Sequence, residues 1–333
     1  MALIILLFFA AAQVGTMLFG GSIALALGIE PIMVVNLVMI VSFALITFMC
    51  LLVTTERGVK PRDLCKHFGI TKVSAKGLFL SLVITVVALI SFILITSLAI
   101  DLFVLLGYSP ATGEGESPIT SLGIFLVTVV AMAVMPAVSE EIAFRGMIQK
   151  DYEKEYGPIV AIIASSVMFS LIHMSPSQTV FQLIVGLIWA WVYFRTRNLV
   201  YPMIMHFLNN LIAVSLMYFL PAADPAYLEP SSPAVLIIIA FGLAIGGTVA
   251  LIALIKQFPK AEQAEDTDAA YCGSASTEMV IAEIKRCALE DAKKNPQMNT
   301  QKEKRPKFLS SKNWVFYVFV LITSLMWLFS FFA

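Results

Sequence analysis

Uninterrupted apolar runs of about 20 residues recur along this chain, and a helix of that length crosses roughly 30 Å of hydrocarbon. Inside lipid every backbone polar group must find its partner within the protein, which restricts spanning structures to helices and closed barrels. The runs are continuous rather than alternating with period two, so they predict helices. Nine candidate spans follow, at about 3–28, 32–54, 77–106, 121–143, 158–174, 179–195, 199–220, 233–255 and 313–332. The first has no basic leader and too long an apolar run for a signal peptide, so it is read as a span. With 59% hydrophobic and 13% charged residues, the chain carries about half the charge of a soluble domain. The expected fold class is all-α, a polytopic transmembrane helix bundle.

The charges are distributed with complete asymmetry. Arg57, Lys60, Arg62, Lys66, Lys72 and Lys76 lie in the loop at 55–76. Arg145, Lys150 and Lys154 follow the fourth apolar run, Arg195 and Arg197 separate the sixth from the seventh, and all the rest lie in 256–312. The alternate loops at 107–120, 175–178 and 221–232 contain no Lys or Arg. The positive-inside rule makes the basic loops cytoplasmic, with the N-terminus inside and the C-terminus outside. Cys50, Cys65, Cys272 and Cys287 fall on or near that side, where thiols stay reduced, and their spacing does not suggest zinc. Asp101 reads as an outer-interface residue at the end of the third span.

Three regions follow from this pattern: a transmembrane domain over 1–256, a charged and largely flexible segment over 257–312, and a final transmembrane helix over 313–333. The charged segment allows one short helix near 277–294, where Val280, Ile281, Ile284 and Ala288 recur at helical spacing. The cluster Lys302, Lys304, Arg305 and Lys307 is explained equally by topology signalling and by contact with anionic lipid. No internal repeat and no glycine-rich phosphate loop is present, and no feature points to nucleic acid.

Ionisable groups within apolar runs are expensive and usually mark a working site. In the fourth span Glu141 and Arg145 are four residues apart, one helical turn, in the favourable acid-first order. Glu140 is turned roughly 100° away on the same helix. The expected division of labour has Arg145 neutralise Glu141 and leave Glu140 facing a cavity, with Pro136 opening the helix one turn earlier. The fifth span supplies Phe169 and His173, and the seventh supplies His206 and Asn210, again one turn apart. Three spans thus each present an acid, an imidazole or an amide to the bundle. For Glu140 to meet both histidines, the fourth helix must run on toward Lys150 and hold Arg145 inside the protein.

The ordered set Glu140-Glu141-x-x-x-Arg145, Phe169-x-x-x-His173 and His206-x-x-x-Asn210 resembles the three motifs of the CPBP intramembrane protease family. That family includes the CAAX prenyl endopeptidases of the Ras-converting-enzyme type and bacterial proteins linked to bacteriocin processing and self-immunity. The run from Phe194 to Pro202 is similar to the family's entry into its third motif, and the resemblance covers about 120–215. It implies an endopeptidase in which Glu140 activates water with help from His173. His206 and Asn210 would stabilise the oxyanion, and Glu141, Arg145 and Phe169 would organise the site. The implied partners are a peptide or lipidated-protein substrate and membrane lipid, with no cofactor. A zinc-dependent version with Glu140, His173 and His206 as ligands is the competing expectation, although Asn210 is a poor zinc donor and the His-Glu-x-x-His pattern is absent. A prokaryotic cell membrane is the expected location. The rival readings are a non-catalytic immunity or scaffold protein and a proton-linked transporter; the latter often carries inverted repeats, and none is present.

Overall fold

The structure is a computed structural model that describes residue 15 and residues 19–109, 119–219, 233–258 and 314–332. Every regular element among the described residues is helical. Six helices are long and apolar enough to cross a membrane: α1 (Pro31–Glu56), α2 (Ala75–Leu105), α3 (Leu122–Tyr156), α5 (Pro176–Thr196), α6 (Val200–Phe219) and α7 (Pro233–Ile255). Two further apolar helices, α4 (Pro158–Leu171) and α8 (Trp314–Phe332), complete the described bundle. Of the nine expected spans, the first is described only in part, as a helical stretch over 19–27. The expected helix at 277–294, the basic cluster at 302–307, Cys272 and Cys287 lie outside the described residues.

Local chemistry sets several of the helix starts. Proline opens α1, α4 and α5, where its missing N–H would have been unpaired in any case. Ser74 caps α2 by accepting from Gly77 N at 3.0 Å, and Ser121 caps α3 by accepting from Ile124 N at 3.2 Å. Asp101 is exposed near the far end of α2.

α3 is the axis of the fold. It packs against α1, α4, α5 and α6, and it continues well past the apolar run at 121–143, through Lys150 to Tyr156. Two π-helical segments, Val130–Val134 and Ile142–Gln149, interrupt its α-geometry. From Ser139 to Gln149 every residue is buried, so no face of this stretch meets lipid or water. Polar bonds tie α1 to it: Asn36 Nδ2 donates to Thr128 Oγ1 at 2.8 Å, and Thr47 Oγ1 meets Ser139 Oγ at 2.8 Å. Ser139 gives its own proton to Phe43 O at 3.0 Å, so Thr47 is the donor of that pair.

α4 and α5 form a tight hairpin. At 1.5 Å per residue α4 is roughly 21 Å long, shorter than the roughly 30 Å of hydrocarbon in a bilayer. Ile172 and Met174 are buried.

The basic loops gather at one end of the bundle. Arg57 pairs with Asp151 at 2.9 Å, Arg197 pairs with Glu153, Lys150 donates to His67 O, and Arg195 donates to Lys256 O. The loop before α2 is stitched to the loop before α6 by Leu199 N donating to Gly69 O at 2.9 Å and by Asn198 Nδ2 donating to Lys72 O at 3.1 Å. Gly69 ends a short helix at φ +73°, and a Cβ there would overlap the carbonyl of Arg197. Gly69→Ala is therefore expected to destabilise the fold by about 1–3 kcal/mol through left-handed strain and lost loop contact. Thermal denaturation in detergent should show the melting midpoint fall; an unchanged midpoint would refute the close approach.

Candidate active site

The geometry of α3 brings both glutamates inward. Glu141 and Arg145 are fully buried, and Glu140 is 6% exposed. Arg145 Nη1 donates to Glu141 Oε1 at 2.9 Å, as the one-turn spacing predicts. The guanidinium also donates from Nη2 to Gly186 O at 3.1 Å, and it lies 4.6 Å from the Phe169 ring centre and 5.6 Å from that of Trp189. A desolvated cation over aromatic faces gains about 2 kcal/mol. One turn further, Gln149 Nε2 donates to Ala190 O at 2.9 Å. Two α3 side chains thus hold two α5 carbonyls that are themselves one turn apart.

Glu141 has a second partner. His206 Nδ1 lies 3.0 Å from the same Oε1 that Arg145 holds. Because Glu141 offers only acceptors as a carboxylate, Nδ1 carries the proton and the neutral ring has its lone pair on Nε2. That Nε2 is 3.9 Å from Glu140 Oε2, a buried atom with no hydrogen-bond partner. The His206 ring stacks on Trp189 with centres 4.4 Å apart. Glu140 is thus the carboxylate left without a countercharge, beside an imidazole that faces it.

Phe169 is the hub of the site. It is fully buried, and its ring centre lies 5.1 Å from His173, 5.8 Å from His206 and 5.7 Å from Trp189. Gly186 lets α5 approach this ring, since a Cβ there would come within 3.2 Å of Phe169 Cδ1. His173 itself lies just past the end of α4 rather than on a continuing helix. Its Nδ1 is 2.8 Å from Phe169 O, and Met174 follows at φ +49°. The ring thereby occupies a terminal carbonyl of α4 that the helix can no longer pair.

Asn210 Nδ2 donates to Met132 O at 2.9 Å. In a regular α-helix that carbonyl would accept from residue 136, and Pro136 has no N–H to give. The helix opening expected near Pro136 is thus present, as the π-segment Val130–Val134, and Asn210 binds the freed carbonyl. The neighbouring Asn209 is buried and donates to Asn210 Oδ1 at 3.1 Å.

No group of three or more His, Cys, Asp or Glu among the described residues is placed to hold a metal ion. His173 and His206 both engage Nδ1 with protein oxygens.

Sequence reasoning named Glu140, Glu141, Arg145, Phe169, His173, His206 and Asn210, and it missed Gly186, Trp189 and Gln149. Gln149 carried a legible signal, a polar residue one turn beyond Arg145. Residues 122–212 match the family described as Type II CAAX prenyl endopeptidase Rce1-like. This is the family type that the three motifs resemble, and the matched segment runs from the start of α3 to the middle of α6. No curated protein and no solved structure matches the chain.

Removing Arg145 would leave Glu141 charged, buried and held by His206 alone. Arg145→Leu is expected to destabilise by about 3–5 kcal/mol, the usual result of breaking one side of a buried pair. Arg145→Lys should restore only part of this, because a lysine cannot reach Glu141 and Gly186 O with a planar fork. Thermal melting of the purified variants checks both, and a leucine variant as stable as wild type would refute the pairing.

Proposed function

We propose that this chain is an intramembrane endopeptidase that hydrolyses peptide bonds near the cytoplasmic boundary of the membrane. The observation that carries the reading is the inequality of two adjacent buried carboxylates. Glu141 is held by Arg145 and His206, whereas Glu140 Oε2 has no partner and lies 3.9 Å from His206 Nε2. The family match supports a CAAX-type protease.

In the proposed reaction Glu140 takes a proton from a water as its oxygen attacks the scissile carbonyl carbon, assisted by His173. The carbonyl π-bond becomes an oxyanion. Asn210 has a second N–H beyond the one on Met132 O, and that N–H is available to the oxyanion. His206 acts as a donor in the state in which Nε2 has taken a proton from solvent before the attack, a proton it keeps through the cycle, and the Glu141 carboxylate on Nδ1 balances its charge. Donors fixed in a dry site stabilise such an intermediate by roughly 3–4 kcal/mol each where measured. Collapse expels the amine, which receives its proton from Glu140, and the C–N bond is broken.

The substrate class is a peptide segment at the membrane surface. In a host that prenylates proteins this is a prenylated C-terminal CAAX sequence; in a prokaryote it is a peptide pheromone, a bacteriocin precursor or a membrane-protein segment. The end of the bundle that collects the basic loops is assigned to the cytoplasm by the positive-inside rule. Cys65 is exposed near that end. As a single-cysteine variant it should resist a membrane-impermeant maleimide in intact cells and react after permeabilisation. Labelling of intact cells would reverse the orientation.

Activity tests the core claim. Purified wild type should cleave a quenched fluorescent peptide library in detergent, and Glu140→Ala should reduce the rate at least about 100-fold, as expected for loss of the general base. Chelator should leave wild-type activity intact. Equal rates for wild type and variant would remove the protease claim and favour a non-catalytic binding role, and chelator-sensitive cleavage would move the mechanism to a metal.

A further inference from the structure

α8 lies outside the family-matched segment, and its sequence contains no Asp, Glu, Lys, Arg or His. Its position gives it a task. Trp327 Nε1 donates to Thr179 Oγ1 at 2.7 Å. Thr179 Oγ1 gives its own proton to Ser175 O at 2.7 Å, and Thr179 O accepts from Ser170 Oγ at 2.6 Å. Ser170 and Ser175 are the two stems of the turn that carries His173. One residue of α5 therefore grips both ends of that turn, and the indole of α8 grips that residue.

The direction of the chain is fixed by chemistry. An indole N–H can only donate, and a threonine hydroxyl has one proton, already spent on Ser175 O. The indole must therefore point at the hydroxyl lone pair, which sets the rotamer of Thr179 and aims its proton at the turn. Trp327 is held in place by aromatic packing, 5.7 Å from Phe103 and 5.3 Å from Phe331, and Phe331 in turn lies 5.4 Å from Tyr108. At its other end α8 meets α3 through Phe316 and Tyr152, 6.3 Å apart. The helix is thus anchored at both ends. The turn leaves the helical path at Met174, φ +49°, and these bonds fix it where the helical ladder no longer does.

We infer that Trp327 is a positioning residue for His173: α8 latches the α4–α5 turn and keeps the imidazole against Phe169 O, beside the site. The inference rests on the reading above, in which His173 assists Glu140.

The test uses full-length protein in detergent and the library peptide that wild type cleaves fastest, with Glu140→Ala as background. Trp327→Phe keeps the ring and its packing and removes only the donor. It should lower kcat about tenfold with KM within twofold and an unchanged melting midpoint. Thr179→Val should match it, Thr179→Ser should keep wild-type kcat, and the Trp327→Phe/Thr179→Val double variant should be no slower than either single one. Wild-type kcat in Trp327→Phe would overturn the latch while leaving the protease reading intact. Loss of kcat together with the melting midpoint, or additive losses in the double variant, would assign α8 a packing role and also overturn the latch. Wild type no faster than Glu140→Ala would overturn the protease reading and the latch with it.

Discussion

A guanidinium sealed away from water dictates the arrangement of this bundle. Arg145 has no exposed surface, and its charge is tolerable only because Glu141, the carbonyl of Gly186 and two aromatic faces surround it. Each partner comes with an element attached. Gly186 and Trp189 bring α5, Phe169 brings α4, and the Glu141 carboxylate brings α6 through His206. One buried ion pair thereby collects the helices that furnish every other group of the site. Such pairs are weak evidence of net stability, and fixing one arrangement among many is their best-attested use.

Weaker bonds complete the frame. Interhelical hydrogen bonds within membranes are typically about 1 kcal/mol each, so the Asn36–Thr128 and Thr47–Ser139 contacts add little to stability. Their value is positional. Ser139 directly precedes Glu140, and its bonds to α1 fix the register of the helix next to that carboxylate. The π-helical turns then let consecutive residues from Ser139 to Gln149 face different neighbours.

Much of this was legible from residue order. Apolar run length gave the bundle, the distribution of Lys and Arg gave the end at which α1, α3, α5 and α6 are joined, and the Glu141–Arg145 spacing gave the ion pair. The need for Glu140 to reach two histidines gave the length of α3. Periodicity could not place His173 in a turn, because Phe169 to Ser175 contains no glycine or proline that would end a helix early. Nor could it show that Asn210 binds a carbonyl of α3, since that bond depends on which face of α6 is packed inward. Gly186, Trp189 and Thr47 were invisible for a shared reason. Each is ordinary in its own apolar run and acquires meaning only from a partner at least 17 residues away, the separation of Gly186 and Phe169.

Asn210 has an amide whose two N–H bonds lie in one plane at a fixed angle. With one of them fastened to Met132 O, the heading of the other is set by the main chain of α3, eight residues before Glu140. In the proposed reaction, donor and base therefore share one rigid body. A tilt of α6 that would separate them in a site built from independent side chains must here either carry the α3 backbone along or break a bond that proline has left without a substitute. Their spacing works as a jig cut into the helix itself.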